Sequence, residues 1–320
     1  MNSVTLEQVK QARARIAEWV RRTPTEYSRW LTKELSREIF LKLECFQQTG
    51  SFKLRGAMAK LTALSDEEKA RGVLTVSAGN HGLAVARGAE VLKIDATIVV
   101  PKSASRAKVE AIRRFPVTLI ERGANYDEAE RAAREMERES GKTFVSPYND
   151  LEVIAGQGTI ALEILEDAPH LDAMVIPVGG GGLIAGIALA AKALNPQIKI
   201  YGAEPATTPT MMEALKAGQI IEVIEDDTIA DGLAGNIEPG SITFPIVQRF
   251  VDDMITVSEA EIGEALYRFA REEHVMIEGS AAVSLAALHS PKLTGQSLAA
   301  IISGRNISLD VFMRAIASKL

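Results

Sequence analysis

The chain has one cysteine, Cys45, and four histidines, His81, His170, His274 and His289. A single thiol excludes an intramolecular disulfide framework and a thiolate metal cage. The histidines show no metal-ligand spacing, so no metal site is expected. No long basic stretch offsets the excess of 42 Asp+Glu over 36 Lys+Arg, and the formal charge is −6. A nucleic-acid backbone or an anionic membrane is a poor partner for that surface. Residues 1–11 lack the apolar core of a signal peptide, so a cytoplasmic location is expected. The longest uncharged run, residues 173–191, contains Pro177 and four consecutive glycines. It reads as strand–turn–helix, and no membrane span is expected. No internal repeat, low-complexity tract or Pro/Gly/Ser-rich linker appears.

What remains is an ordinary globular composition: 320 residues, 47% hydrophobic and 24% charged. That length suggests about two domains and is ample for a buried core. Thr5–Arg22 is predicted as a helix, with Thr5 and Gln8 as a capping box and Val9, Ala12, Ile16 and Val20 on one face. Strands are predicted at 39–43, 73–77, 96–100, 117–121, 143–146, 174–178, 198–202, 255–257 and 299–303. Helical patterns such as 127–139 and 160–165 lie between them. The alternation predicts an α/β protein with mainly parallel sheets, and so many strands predict two of them. The turn-rich Ser146–Asp150 marks a boundary. The expected organisation is a large domain, 1–69 and 150–320, with a small domain, 70–149, inserted in it.

In such folds ligands sit beyond the carboxyl ends of strands, and three loops there carry chemistry-bearing residues. The first is Thr49-Gly50-Ser51-Phe52-Lys53-Leu54-Arg55-Gly56, in which Thr49 or Ser51 is predicted to cap a helix starting near Lys53. A lysine at the positive end of a helix, if buried, has a depressed pKa and can offer a free amine for a Schiff base. The plain alternative is a surface lysine beside a cap. The second is Ser77-Ala78-Gly79-Asn80-His81-Gly82, whose small residues suit an anion such as a substrate carboxylate. Its plain alternative is a strand-to-helix turn capped by Asn80, with His81 packed. The third is Gly179-Gly180-Gly181-Gly182-Leu183, ahead of a helix ended by Asn195-Pro196. Its backbone amides are free to cradle a phosphate. No Lys-Ser/Thr follows, so it is not a Walker loop. Gly180, Gly182 and Ala185 also fit a loose G-x-G-x-x-A pattern, with Glu204 placed as a ribose-binding acid, so a nicotinamide-dependent oxidoreductase stays open here.

Glu44 and Thr49–Ala57, Ser77–His81, Val153–Thr159, the glycine block, Ala230-Asp231-Gly232 and Ser303-Gly304-Arg305-Asn306 follow one another as six separated motifs. Together they resemble the pyridoxal-phosphate enzymes of the tryptophan-synthase-β fold type, in particular the threonine/serine dehydratase and serine racemase group. The resemblance spans nearly the whole chain. It implies two mainly parallel twisted sheets flanked by helices, with pyridoxal 5′-phosphate as cofactor. Residue by residue, it implies that Lys53 binds the cofactor covalently and removes the α-proton, and that Phe52 packs near its ring. Asn80 bonds the phenolic oxygen, Gly179, Gly180, Gly181, Gly182 and Leu183 bind the phosphate, and Ser303 faces the pyridine nitrogen. Ser77, Ala78, Gly79, Asn80 and His81 receive the substrate carboxylate.

The implied activity is an ammonia-lyase acting on a β-hydroxy amino acid, with L-threonine and L-serine first. Dehydratases for 3-hydroxyaspartate or in hydroxyectoine breakdown share the motifs. Racemases of the group place a serine where this chain has Ala78, which disfavours racemisation. Thr210 stands where racemases have a metal-binding acid six residues after the equivalent of Glu204. Arg305 replaces a commoner glycine; it either shapes substrate selection or points to solvent. Relatives of this type are homodimers or homotetramers, and no regulatory domain is expected after the last motif. A non-catalytic small-molecule binder is the remaining rival, and the presence of Lys53 and Ser303 speaks against it.

Overall fold

The computed structural model describes residues 4–319. Its strands are β1 (Thr25–Tyr27), β2 (Glu38–Lys42), β3 (Val73–Val76), β4 (Ala96–Val100), β5 (Thr118–Glu121), β6 (Thr143–Phe144), β7 (Ala173–Pro177), β8 (Lys199–Pro205), β9 (Asp253–Val257) and β10 (Ser297–Ile301). They form a six-stranded sheet, β1-β2-β10-β7-β8-β9, and a four-stranded sheet, β5-β4-β3-β6. Every pairing is parallel except β1 with β2. The α/β class with two mainly parallel sheets is as expected.

Both faces of the large sheet are covered, which is why its central strands are continuous apolar runs. Side chains alternate between two cores. Met174 and Ile176 of β7, with Ala299 and Ile301 of β10, pack against helices Leu151–Asp167 and Gly182–Leu194. Ala173, Val175, Leu298 and Ala300 face Glu259–Glu273 and Gly279–Ala287 on the other side. In the small sheet Leu74, Val76 and Val99 pack on Ala129 and Ala133, while Ile98 and Val100 pack on Ala86, Val109 and Ile112.

The motif glycines of Lys53–Ala63 and Leu151–Asp167 are explained by packing. A Cβ at Gly56 would lie 2.3 Å from Gln157 Nε2, and one at Gly156 would lie 2.6 Å from the Arg55 carbonyl. These two helices cross where neither can carry a side chain. The Lys53 helix is thereby set against the main core.

Several predicted boundaries move. The first helix is Leu6–Ile16, with the Thr5/Gln8 capping box in place, and does not reach Arg22. Arg21 N–H donates to Gln47 Oε1 at 2.9 Å and its carbonyl accepts from Arg55 Nη2 at 3.2 Å. Tertiary partners therefore claim the backbone that a longer helix would use. The strand predicted at 143–146 pairs only at Thr143–Phe144. β8 extends to Pro205 along β9. The short antiparallel β1 has no sequence counterpart above. Among the described residues no helix is long and apolar enough to cross a membrane.

Candidate active site

Four loops converge at the carboxyl ends of β2, β3, β7 and β10. Ser51 forms an isolated bridge to Gly304. Phe52 N–H donates to the Ser303 carbonyl at 3.0 Å. The Lys53 loop and the Ser303 loop are thus one backbone-paired unit. Ser303 is buried.

Lys53 is the first residue of the helix Lys53–Ala63, so the positive end of the helix dipole lies at its backbone. The predicted cap is absent. The N-cap is Phe52, without a side-chain cap bond, and the hydroxyls of Thr49 and Ser51 find no hydrogen-bond partner among the described residues. Among the described residues Lys53 Nζ makes a single hydrogen bond, to the Pro147 carbonyl at 2.9 Å. Burial pushes its pKa down to about 8, with the Glu278 carboxylate opposing. The neutral, nucleophilic form near neutral pH is therefore far more populated than in a free lysine, although still the minor form.

The glycine turn lies beside it. Gly181 has φ +86°, and the helix Gly182–Leu194 starts there without a side-chain cap. Its first amides have no intrahelical acceptor and remain available to an anion. The close packing requires glycine. A Cβ at Gly179 would lie 3.0 Å from Leu233, one at Gly180 2.5 Å from the Tyr148 ring, and one at Gly182 2.8 Å from Tyr148. Thr243 Oγ1 donates to the Gly180 carbonyl at 2.8 Å and fixes the turn from behind. Pro147 and Tyr148 thus span the distance between the amine and the turn. Leu183 is buried in the main core.

The Ser77–His81 loop closes the site from the small sheet. Ser77 Oγ accepts from Gly79 N–H at 3.1 Å. A Cβ at Gly79 would meet nothing within 4 Å, so the space above it is open to a ligand. Ala78 offers no polar atom there. Asn80 begins the helix Asn80–Leu92 and does not cap it; Gly79 is the N-cap. His81 is buried, with Nε2 2.9 Å from the Val145 carbonyl. Burial and the nearby Lys53 hold its pKa down to about 3. Its Nε2 is committed to that carbonyl, while its Nδ1 is buried and has no hydrogen-bond partner among the described residues.

Asn80 has partners that the sequence did not reveal. Its Nδ2 donates to Glu278 Oε1 at 2.8 Å, and its Oδ1 accepts from Asn306 Nδ2 at 2.6 Å. Glu278 Oε2 accepts from Asn306 N–H at 3.1 Å. A Cβ at Gly304 would lie 2.4 Å from the Glu278 carboxyl. Burial pushes the Glu278 pKa up to about 7, and Asp231 adds to the rise. In the sequence Glu278 looks like an acid at a helix start, and it is indeed the N-cap of Gly279–Ala287. Only the glycine at 304 hinted at a close neighbour.

Two other sequence candidates have partners of their own. Both carboxylate oxygens of Glu204 accept backbone amides, Met211 at 2.8 Å and Met212 at 2.9 Å. It caps the helix Thr210–Ala217 and holds no ribose, which removes the acid the nicotinamide reading needed. Arg305 is exposed, with its guanidinium 5.4 Å from the Phe46 ring.

A lysine at an uncapped helix start faces a glycine turn built for an anion, and the comparisons with known proteins agree with that pattern. A family model for "Pyridoxal-phosphate dependent enzyme" matches residues 16–304. The chain belongs to this family and is a pyridoxal-phosphate dependent enzyme. It is 42% identical to the L-threonine ammonia-lyase of Thermotoga maritima over 314 residues, 98% of this chain and 78% of that one. It is also 42% identical to the catabolic L-threonine dehydratase TdcB of Staphylococcus aureus, covering 96% of this chain and 90% of that one. Among solved structures, maize serine racemase superposes with a TM-score of 0.93 at 36% identity, covering 99% of this chain and 98% of that one.

The structure fits the cofactor on its own terms. The amine is half-buried with a lowered pKa, the glycines leave no room for side chains, and the uncapped amides beside them suit a phosphate.

Proposed function

We propose that the chain is an ammonia-lyase that takes water and then ammonia from a small β-hydroxy amino acid, converting L-threonine to 2-oxobutanoate and L-serine to pyruvate. The observation that carries this reading is the Lys53 amine, with its lowered pKa, joined through Pro147 and Tyr148 to the glycine turn. The names of the relatives at 42% identity support the choice of substrate.

In this reading Lys53 holds the cofactor, the amides of Gly179–Leu183 bind its phosphate, and Asn80 meets its phenolic oxygen. When bound, pyridoxal phosphate supplies an electron-withdrawing ring in conjugation with the substrate nitrogen, which acidifies the α-C–H. Glu278 and Asn306 hold one edge of the Asn80 amide, leaving its second N–H for the ring. Ser303 presents a neutral hydroxyl to the ring nitrogen and does not enforce its protonation as a carboxylate would. With substrate in place, the Lys53 amine would be the base that takes the α-proton. Ser77–His81 receive the substrate carboxylate through their amides. The released enamine hydrolyses to the 2-oxo acid and ammonia.

Ala78 has no proton to give on the face opposite Lys53, which opposes racemisation despite the similarity to a serine racemase. In this reading residues 70–149 form a small domain inserted in the large one. A cytoplasmic homodimer or homotetramer completes the proposal, to be checked by light scattering. The direct test is to follow ammonia, 2-oxo acid and D-amino acid from L-threonine, L-serine and 3-hydroxyaspartate. Ammonia with 2-oxobutanoate supports the reading, and D-serine formed faster than ammonia overturns it.

A further inference from the structure

Behind the Lys53 helix lies a dry ionic cluster in which Arg55, Lys42 and Glu44 are each no more than 1% exposed and Glu163 is 4% exposed. Arg55 Nε and Nη2 donate to Glu44 at 2.8 Å each, and Nη1 and Nη2 donate to Glu163 at 2.7 and 2.8 Å. Arg55 also reaches Thr159 Oγ1 at 3.2 Å and the Arg21 carbonyl at 3.2 Å. Lys42 Nζ donates to Glu163 at 2.6 Å and to the Thr23 carbonyl at 2.7 Å. Two cations and two anions balance, and the guanidinium fork is saturated. The cluster ties the end of β2, the first turn of the Lys53 helix and the helix Leu151–Asp167 together.

We propose that Arg55 is a positioning residue for Lys53, pinning the first helical turn from behind so that the amine faces the cleft. The backbone up to Phe52 is paired to the Ser303 loop, but the helix start has no side-chain cap and Lys53 Nζ has one hydrogen bond among the described residues, so the first turn itself takes its side-chain anchoring from behind. Residues two apart lie about 200° apart around a helix, which puts Arg55 on the face opposite Lys53. The fork meets two carboxylates from different elements, which sets both the rotation and the depth of that turn. Lysine at position 55 would keep the charge but lose the fork.

The inference rests on Lys53 being the residue that binds the cofactor, and the experiment separates the two claims. Wild type, Arg55→Lys, Glu163→Gln and Ile316→Ala are prepared without cofactor and given pyridoxal phosphate at a series of pH values. The adduct is fixed with borohydride at timed intervals, and position 53 is quantified by peptide mass spectrometry. Ile316→Ala, at the end of the C-terminal helix, is the control for lost stability.

A loosened turn would misplace and rehydrate the amine, so fixation in Arg55→Lys should slow by about tenfold or more. Its pH midpoint should rise above the wild-type value near 8. Glu163→Gln should move both quantities the same way by less, and Ile316→Ala should move neither. Wild-type rate and midpoint in Arg55→Lys overturn the positioning role. If Arg55→Lys does not fold, an unchanged midpoint in Glu163→Gln overturns it equally. Absence of label at position 53 in the wild type defeats the Lys53 assignment, and the positioning role with it.

Discussion

Two buried sets of charges flank the start of one helix, and they are treated in opposite ways. On the back, Lys42, Glu44, Arg55 and Glu163 are mutually paired. Burial favours the neutral forms of Arg55 and Glu163, but their partners outweigh it. The Arg55 pKa is raised and that of Glu163 lowered. Burial does pull Lys42 down, against the attraction of Glu163. On the front, half-buried Lys53 and buried Glu278 have no direct ion pair with each other, and desolvation moves both toward neutrality, to about 8 and about 7. The same desolvation gives a silent structural network where charges are matched and titrating groups where they are not.

The largest expected effect comes from emptying the front. Lys53→Ala should lower kcat by roughly 10³-fold or more, through loss of covalent attachment and of the general base. It should unfold at the wild-type urea midpoint when both are compared without cofactor. A variant retaining most activity would remove the contrast altogether.

Next is a break in the back. Glu163→Ala strands two buried cations on one carboxylate and should cost roughly 3–5 kcal/mol in urea unfolding. Adding Lys42→Met should recover part of that loss. If Glu163→Ala is neutral, the network is not the matched system described here.

Glu278 sharpens the comparison through pH. Its folded pKa is raised, so its contribution to stability is full below the unfolded value near 4.5 and is lost as pH rises through about 7. Glu278→Gln should remove up to roughly 3 kcal/mol of that fall, which the difference between the two proteins' pH–stability curves reports. Parallel curves would show that Glu278 is not buried as a proton-holding group.

The smallest effect is expected at the cradle. Gly180→Ala puts a methyl group against the Tyr148 ring, which must shift, and should weaken cofactor binding about tenfold, a change of about 1.4 kcal/mol. Fluorescence titration with pyridoxal phosphate measures it.

Much of the site could be read from sequence because its features are local. The glycine turn, Lys53 at a helix start and the strand-then-loop rhythm each need only a few adjacent residues, and all are where expected. What escaped is tertiary. The first helix stops at Ile16 because Gln47 and Arg55, far along the chain, claim the backbone of Arg21. Thr49 and Ser51 have the right chemistry for a cap, yet Lys53–Ala63 is held by Arg55 from the opposite side. Glu278 sits 198 positions from Asn80, and no local pattern distinguishes it from other acids at helix starts. β1 is three residues long and defined only by pairing with β2.

The most direct measurement is borohydride reduction of the cofactor-loaded enzyme, followed by mapping of the modified peptide and an ammonia assay on the same material. A single pyridoxyl group on Lys53, with ammonia production lost in step with its appearance, is the predicted result. Undiminished ammonia release from protein carrying that group, or a group attached to another lysine, would contradict the account.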